Sequence, residues 1–373
     1  QPQPQPQPSA PEPINGLDDL VGAVVNAVNG QIQPKLDELH ARDNGQQAQI
    51  DALAGTASQP TAITVQGGNT TANTYTVPTG HQHPRFPLLL QALLNLRNDD
   101  DSAPTRDCNV VLIGPAGSGK SHAGKQVADC IRRTRDAEGN PMPDDSTETL
   151  PLYAQGAVFR ESKLLGYCDA NGEYVSSQFY RAYRYGGVFV FDELDSSDPT
   201  QLTAFNQALA NGYCDFPGHD MPVTRHADCY LIGGMNTAGM GGDALYARKR
   251  QDAATMDRFR KITWTYDEPL ELLISGADHE TFVKLVQHLR KCAETTGTAI
   301  VISPRRSMQG ARMLRRGMSR ADVAELCFSE YSTNPAFAQE WQSKCDGASL
   351  TRWVNTGTFT PTVGFPRPRM GAL

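Results

Sequence analysis

The sequence predicts an α/β fold: a three-layer domain with a mainly parallel sheet, followed by a small all-α domain. Three observations carry that expectation. The apolar runs Asn109–Ile113, Gly187–Phe191 and 230–234 have the length and continuity of strands buried on both faces. Segments able to form helices separate these runs, so the chain can cross over between parallel strands. After about residue 268 strand signals stop, and helical spacing such as Phe282, Leu285, Val286 and Leu289 takes over.

The organisation follows from composition shifts along the 373 residues, enough chain for two or three domains. Residues 1–16 begin QPQPQPQP and read as a disordered Pro/Gln tether. Within 17–56, Leu17, Val21, Val24, Val28 and Ile32 keep helical spacing until Pro34 interrupts, so a helical segment is expected. Residues 57–82 are rich in Thr, Gln, Asn and Gly and read as a linker. Ile63/Val65 and Tyr75/Val77 around Gly67-Gly68-Asn69 leave a small hairpin open. The α/β domain is expected over 83–267, opening with a helix whose apolar face is Phe86, Leu89, Leu90, Leu93 and Leu94. A helical domain is expected over 268–332 and an extension over 333–373. Residues 134–149 are polar and turn-rich, hence a surface loop.

Composition narrows the class. A net charge of −7 gives no global attraction to nucleic acid. Eight cysteines are scattered without a C-x-x-C pair, which fits reduced thiols in a cytoplasmic compartment rather than a disulfide or zinc scaffold. No apolar run reaches the length of a membrane span, and no secretory leader is recognisable.

The strongest chemical signal is Gly114-Pro115-Ala116-Gly117-Ser118-Gly119-Lys120-Ser121, which matches G-x-x-x-x-G-K-[ST] between a strand and a helix that starts around His122. Such glycines let backbone N–H groups turn around an anion, and the helix N-terminus adds its positive end. Lys120 can neutralise the β/γ-phosphates of a nucleotide, and the Ser121 hydroxyl can ligate Mg²⁺. A second signal is Val188-Phe189-Val190-Phe191 ending in Asp192 and Glu193. A buried strand delivers its C-terminal end to the place where ligands collect in open α/β sheets. Asp192 would hold Mg²⁺ and Glu193 would polarise the attacking water. Asp195 and Asp198 read as turn and helix-cap residues. The adjacent acids point to ATP hydrolysis, and no N-K-x-D segment for guanine occurs.

These residues resemble the AAA+ ATPase superfamily, in its MoxR-like, cobaltochelatase-small-subunit-like and dynein-related branch. The resemblance runs from about His83 to about Phe328. GPAGSGKS (114–121) looks like Walker A and GGVFVFDELDSSDP (186–199) like Walker B. GGMNTAGMGGDALY (233–246) looks like the sensor-1 segment, DAATMDRF (252–259) like the arginine-finger segment, and SPRRSMQGARML (303–314) like the sensor-2 helix. The resemblance implies a P-loop NTPase domain with an AAA+ lid, ATP and Mg²⁺ as ligands, and a homo-oligomeric ring, most often a hexamer. It implies Asn236 beside the attacking water, Arg258 projecting into a neighbouring subunit's nucleotide, and Arg305 contacting the phosphates from the lid. Arg248, Arg250 and Arg260 are rivals of Arg258, and Arg306 of Arg305.

An unidentified client protein, possibly carrying a von Willebrand-type domain, is the implied partner, and a phage origin would place the chain in the host cytoplasm. The acid-free run Arg305, Arg306, Arg312, Arg315, Arg316 and Arg320 reads as a lid helix serving nucleotide and neighbour contacts; a nucleic-acid motor is the alternative reading, for which the run would be a binding patch. A structural ring with nucleotide-gated assembly is the third. Tyr167 and Tyr174, in the loop before Walker B, are candidates for gripping a client.

Overall fold

The computed structural model describes residues 61–66, 72–77, 81–95, 109–143, 146–239, 245–333 and 335–360. The expected tether and helical segment (1–16 and 17–56) lie outside the described residues. In chain order, β1 (Thr61–Gln66) and β2 (Ala72–Val77) form an antiparallel pair. β3 (Asn109–Ile113) and β4 (Leu152–Gln155) belong to the main sheet, and β5 (Tyr167–Cys168) pairs with β6 (Tyr174–Val175) as a short hairpin. Next come β7 (Gly187–Phe191), a second short hairpin of β8 (Tyr213–Cys214) and β9 (Val223–Thr224), then β10 (Cys229–Met235) and β11 (Arg260–Thr263).

The main sheet has the order β11-β3-β10-β7-β4, with every pair parallel. All three expected central strands form. β4 is an addition. Its four residues alternate between exposed and half-buried at the sheet edge, so they lack the continuous apolar run that marks the inner strands. Side chains alternate between faces, as a period of two requires. Val110, Leu112, Val188, Val190, Tyr230 and Ile232 share a core with the helices Phe86–Asn95 and Lys120–Cys130. Val111, Phe189, Phe191, Leu231 and Met235 share the opposite core with the helix Gln178–Tyr185 and with Leu202, Phe205 and Leu209. Helices on both faces make this the three-layer architecture expected.

Of the two readings left open for 57–82, the hairpin forms: β1 pairs with β2, and Ile63 is buried in the same core as Phe86 and Leu90. One expectation is corrected. The boundary at 332/333 does not divide the helical unit. The helices Pro335–Ser343 and Gly347–Thr356 contribute Trp341, Leu350 and Trp353 to one core with Phe282, Leu285, Val323 and Phe328 from Glu280–Thr296 and Arg320–Thr333.

Gly124 shows how closely the phosphate-loop helix lies on the sheet: a Cβ there would stand 2.4 Å from Val190 Cγ2. Gly124→Ala gains up to about 1 kcal/mol of helix propensity, but overpacking costs about 1–3 kcal/mol. We expect net destabilisation, seen as a lower midpoint in urea; an unchanged or higher midpoint would count against the packing.

Two buried histidines carry a pH dependence. His226 uses Nε2 toward Asp136 O (2.8 Å) and accepts at Nδ1 from Asp228 N (3.0 Å). His83 does the same with Thr265 O (3.0 Å) and Arg85 N (3.1 Å). An acceptor at Nδ1 requires the neutral ring, and burial holds both pKa values below the ordinary histidine value. The unfolded chain therefore takes up protons near pH 6.5 that the folded chain refuses, so stability present above that pH is lost as pH falls. Urea unfolding at pH 7.5 and 5.5 should show a smaller loss for the His83→Gln/His226→Gln variant than for the parent chain.

Candidate active site

The loop that follows β3 is constrained on every side. Gly114 N donates to Met235 O at 3.0 Å, and a Cβ on Gly114 would fall 1.8 Å from Trp264 O, so only glycine fits there. Gly117 (φ 79°) and Gly119 (φ 88°) adopt the left-handed backbone that glycine favours. Ala116 is held by two tyrosines: its N–H donates to Tyr246 Oη (3.1 Å), and Tyr266 Oη donates to its carbonyl (2.7 Å). Trp264 Nε1 donates to Ser118 O at 3.1 Å. Lys120 opens the helix Lys120–Cys130, and its ammonium is fully engaged with Gly114 O (2.8 Å), Pro115 O (2.9 Å) and Asn236 Oδ1 (3.0 Å). Burial brings its pKa down to about 8, against the opposing pull of Asp192 and Asp195.

β7 ends on the second constellation. Ser121 Oγ donates to Asp192 Oδ2 at 2.8 Å, joining the loop helix to this strand. Glu193 has φ 55°, a left-handed backbone rare for a side-chain-bearing residue and shared with Asp346 alone among the described non-glycine residues. Asp198 caps the helix Pro199–Thr203 by accepting from Thr200 N, as expected. Asp195 does not fit the expectation of a turn or cap residue. It is fully buried, and its Oδ2 accepts from Asn236 N (3.0 Å), Thr237 N (2.9 Å) and Thr237 Oγ1 (3.0 Å). Turn signals such as Ser196-Ser197 describe the local chain, and nothing local announces that β10 ends against this carboxylate.

A cavity of about 770 Å³ brings these groups together. Ala116 through His122, Asp192, Glu193, Asn236 and Arg305 line it, while Gly114 and Pro115 stand behind the wall and supply carbonyls to Lys120. In the cavity wall His83 stacks on Trp264 (4.1 Å between ring centroids), and Leu270, Ile274 and Met308 line the cavity as well. Arg258 does not line the cavity. It follows the helix Ala253–Asp257 at the opposite end of the sheet, where its carbonyl accepts from Asn109 Nδ2. Its rival Arg248 does line the cavity. Arg306 lies over the Phe328 ring at 5.6 Å, so Arg305 is the one of that pair facing the loop. Arg312 and Arg315 of the cationic run line the cavity too, seven and ten residues after Arg305 on one helix face.

The helical unit touches the loop through a buried ion pair. Arg290 donates with both Nη atoms to the two oxygens of Glu271 (2.7 Å each), and Ser307 Oγ donates to Glu271 Oε1. The Arg290 guanidinium lies over the Tyr266 ring at 4.4 Å, and Tyr266 holds Ala116. The two short hairpins pack together on the sheet domain. Tyr174 donates to Leu165 O (2.6 Å) and meets the rings of Tyr180 and His219, whereas Tyr167 and Met221 are exposed. Only Tyr167 of the two candidate gripping residues is therefore free to face outward.

Sequence reasoning missed Tyr246, Tyr266, His83, Trp264 and the placement of Arg248. The aromatic residues carry no pattern of their own; the pairing of β11 with β3 brings the 264–266 segment onto the loop.

Comparison with known proteins bears on the same segment. Residues 109–259 match the family described as AAA domain (dynein-related subfamily). Over 170 residues the chain is 28% identical to an ATP-dependent protease ATP-binding subunit-like protein of Rhodococcus erythropolis, spanning 42% of this chain and 44% of that protein. Among solved structures, NtrX from Brucella abortus in complex with ATP aligns at 18% identity over 74% of this chain and 64% of its own, with a TM-score of 0.38. Hsp104:ATPγS with FITC casein aligns at 18% identity over 51% and 33%, with a TM-score of 0.31. The chain thus spans less than half the length of the curated relative it matches. Sheet order and phosphate loop show a P-loop NTPase fold, and within it residues 109–259 are similar to the AAA domain of the dynein-related subfamily.

Proposed function

We propose that this chain is a Mg²⁺-dependent ATPase that works as an oligomeric ring, a hexamer, and remodels a partner polypeptide. One observation carries the reading: Lys120, Ser121, Asp192, Glu193 and Asn236 arrive from the ends of three adjacent strands on the wall of a single cavity. The base would lie against the lining residues His83, Trp264, Leu270 and Ile274, and the triphosphate along the loop. Lys120 would exchange its carbonyl partners for phosphate oxygens. The Ser121 hydroxyl and the Asp192 carboxylate, 2.8 Å apart, are the hard oxygen donors that suit Mg²⁺. The ion, when bound, neutralises charge on the β- and γ-oxygens. Glu193 would take the proton of the attacking water while the bond from the γ-phosphorus to the bridging oxygen breaks, leaving ADP and phosphate. The Asn236 amide would hold that water.

The position of Arg258, away from its own cavity, supports a role at a neighbour's nucleotide. Arg305, Arg312 and Arg315 would answer phosphate charge from the helical unit, and Tyr266 would relay that unit's position to Ala116. Tyr167 would meet the client. The nucleic-acid reading loses its main support, because half of the arginine run faces the cavity. No helix among the described residues is long and apolar enough to cross a membrane.

Glu193→Gln should lower kcat by about 10²-fold or more with nucleotide affinity retained, and Lys120→Ala should lose binding. An E193Q chain that turns over normally would sink the reading. Burial brings the Lys120 pKa down to about 8, so ATP should protect this amine from acylation at that pH, read by mass spectrometry of the labelled peptide with and without nucleotide. Specific activity should also rise with protein concentration as the ring assembles, and a concentration-independent rate would argue for a self-sufficient monomer.

A further inference from the structure

Arg248 stands in the cavity wall of the same protomer as Glu193. Its side chain is 15% exposed and faces two carboxylates. Nε is 3.4 Å from Asp195 Oδ1, and Nη2 is 3.8 Å from Glu193 Oε1. Nη1 donates to Ser196 Oγ. Asp195 has no exposure at all, so its charge needs a cation nearby, and Arg248 is within ion-pair reach. Asp195 Oδ1 and Arg248 Nε stand within ion-pair distance without sharing a hydrogen bond.

The surrounding segment is fastened as well. Tyr246 accepts from Ala116 N, and its ring lies 5.8 Å from the Arg248 guanidinium carbon. Lys249 N donates to Asp195 O at 3.0 Å, and Gln251 Nε2 donates to Ser197 O at 3.3 Å. An arginine tied down in this way cannot swing to a neighbour's nucleotide without abandoning a buried carboxylate. Glu193, by contrast, is more than half exposed, and Arg248 is its ion-pair partner among the described residues.

Resting on the ATPase reading above, we infer that Arg248 acts in cis as a positioning residue: anchored on Asp195, it aims the Glu193 carboxylate at the water beside the γ-phosphate. The same anchor joins that aim to Asn236, because Asp195 also holds the Asn236 amide. A guanidinium can serve both acids with different arms, whereas an ammonium is one point charge.

The test uses the full chain with Arg248→Lys, which keeps a cation beside Asp195. We expect kcat to fall about tenfold or more, with KM and binding of a fluorescent ATP analogue within about threefold of the parent. Mixing with Lys120→Ala protomers should not restore turnover, because the defect lies in the protomer that holds the nucleotide. Arg258→Ala protomers mixed with the same partner should recover. Should R248K not bind nucleotide, the neutral pair Asp195→Asn/Arg248→Gln takes its place, with the same expected split. Normal kcat, a rise in KM alone, or rescue by K120A protomers would overturn the inference while leaving an active parent enzyme. An inactive parent would instead overturn the ATPase reading on which it rests.

Discussion

A single buried carboxylate sets the geometry of the site. The ladder between β7 and β10 ends at the pairing of Gly233 with Phe191. Asp195 takes over where the ladder stops, satisfying the amides of Asn236 and Thr237 that strand pairing no longer reaches. Without that link the acids after β7 and the amide side chain after β10 would sit on independent loops. With it they form one rigid corner, and the charge that makes the corner possible is answered by Arg248.

Strand order places the rest. β3 lies beside β10 rather than beside its sequence neighbour β4, so the phosphate loop emerges between the ends of β10 and β11. That position explains the glycine at 114, where the Trp264 carbonyl leaves no room for a Cβ. It also brings Trp264 and Tyr266 onto the loop and hands the chain directly to the helical unit, whose first helix is Glu268–Ser275. The buried Glu271–Arg290 pair stacked on Tyr266 then makes the loop sensitive to where the helices stand. Breaking such a pair by removing one partner is costly, commonly about 3–5 kcal/mol, so the contact is a firm joint.

The readable features were those whose physics is local. An anion loop needs its glycines, lysine and hydroxyl within eight consecutive residues, and a buried strand ending in two acids is likewise contiguous. Both were found in the right elements, as were the three inner strands and the amphipathic helix at Phe86. The edge strand β4 is not legible because an edge needs little apolar patterning, and β1–β2 is legible only as an alternative to a linker because its polar composition hides the buried Ile63. Helices 335–343 and 347–356 were set apart from the preceding ones because their tryptophans carry no sign of the partner they pack on.

Neighbouring residues specify the chemistry on offer: a phosphate loop, an acidic strand end and arginines able to answer phosphate charge. Folding selects which of those arginines reach the cavity, with Arg258 away from it and Arg248 and Arg315 in its wall, and makes Asp195 a buried anchor. The reason is separation along the chain. These placements depend on strand order and helix packing between residues tens to more than a hundred positions apart, where no local spacing carries the information.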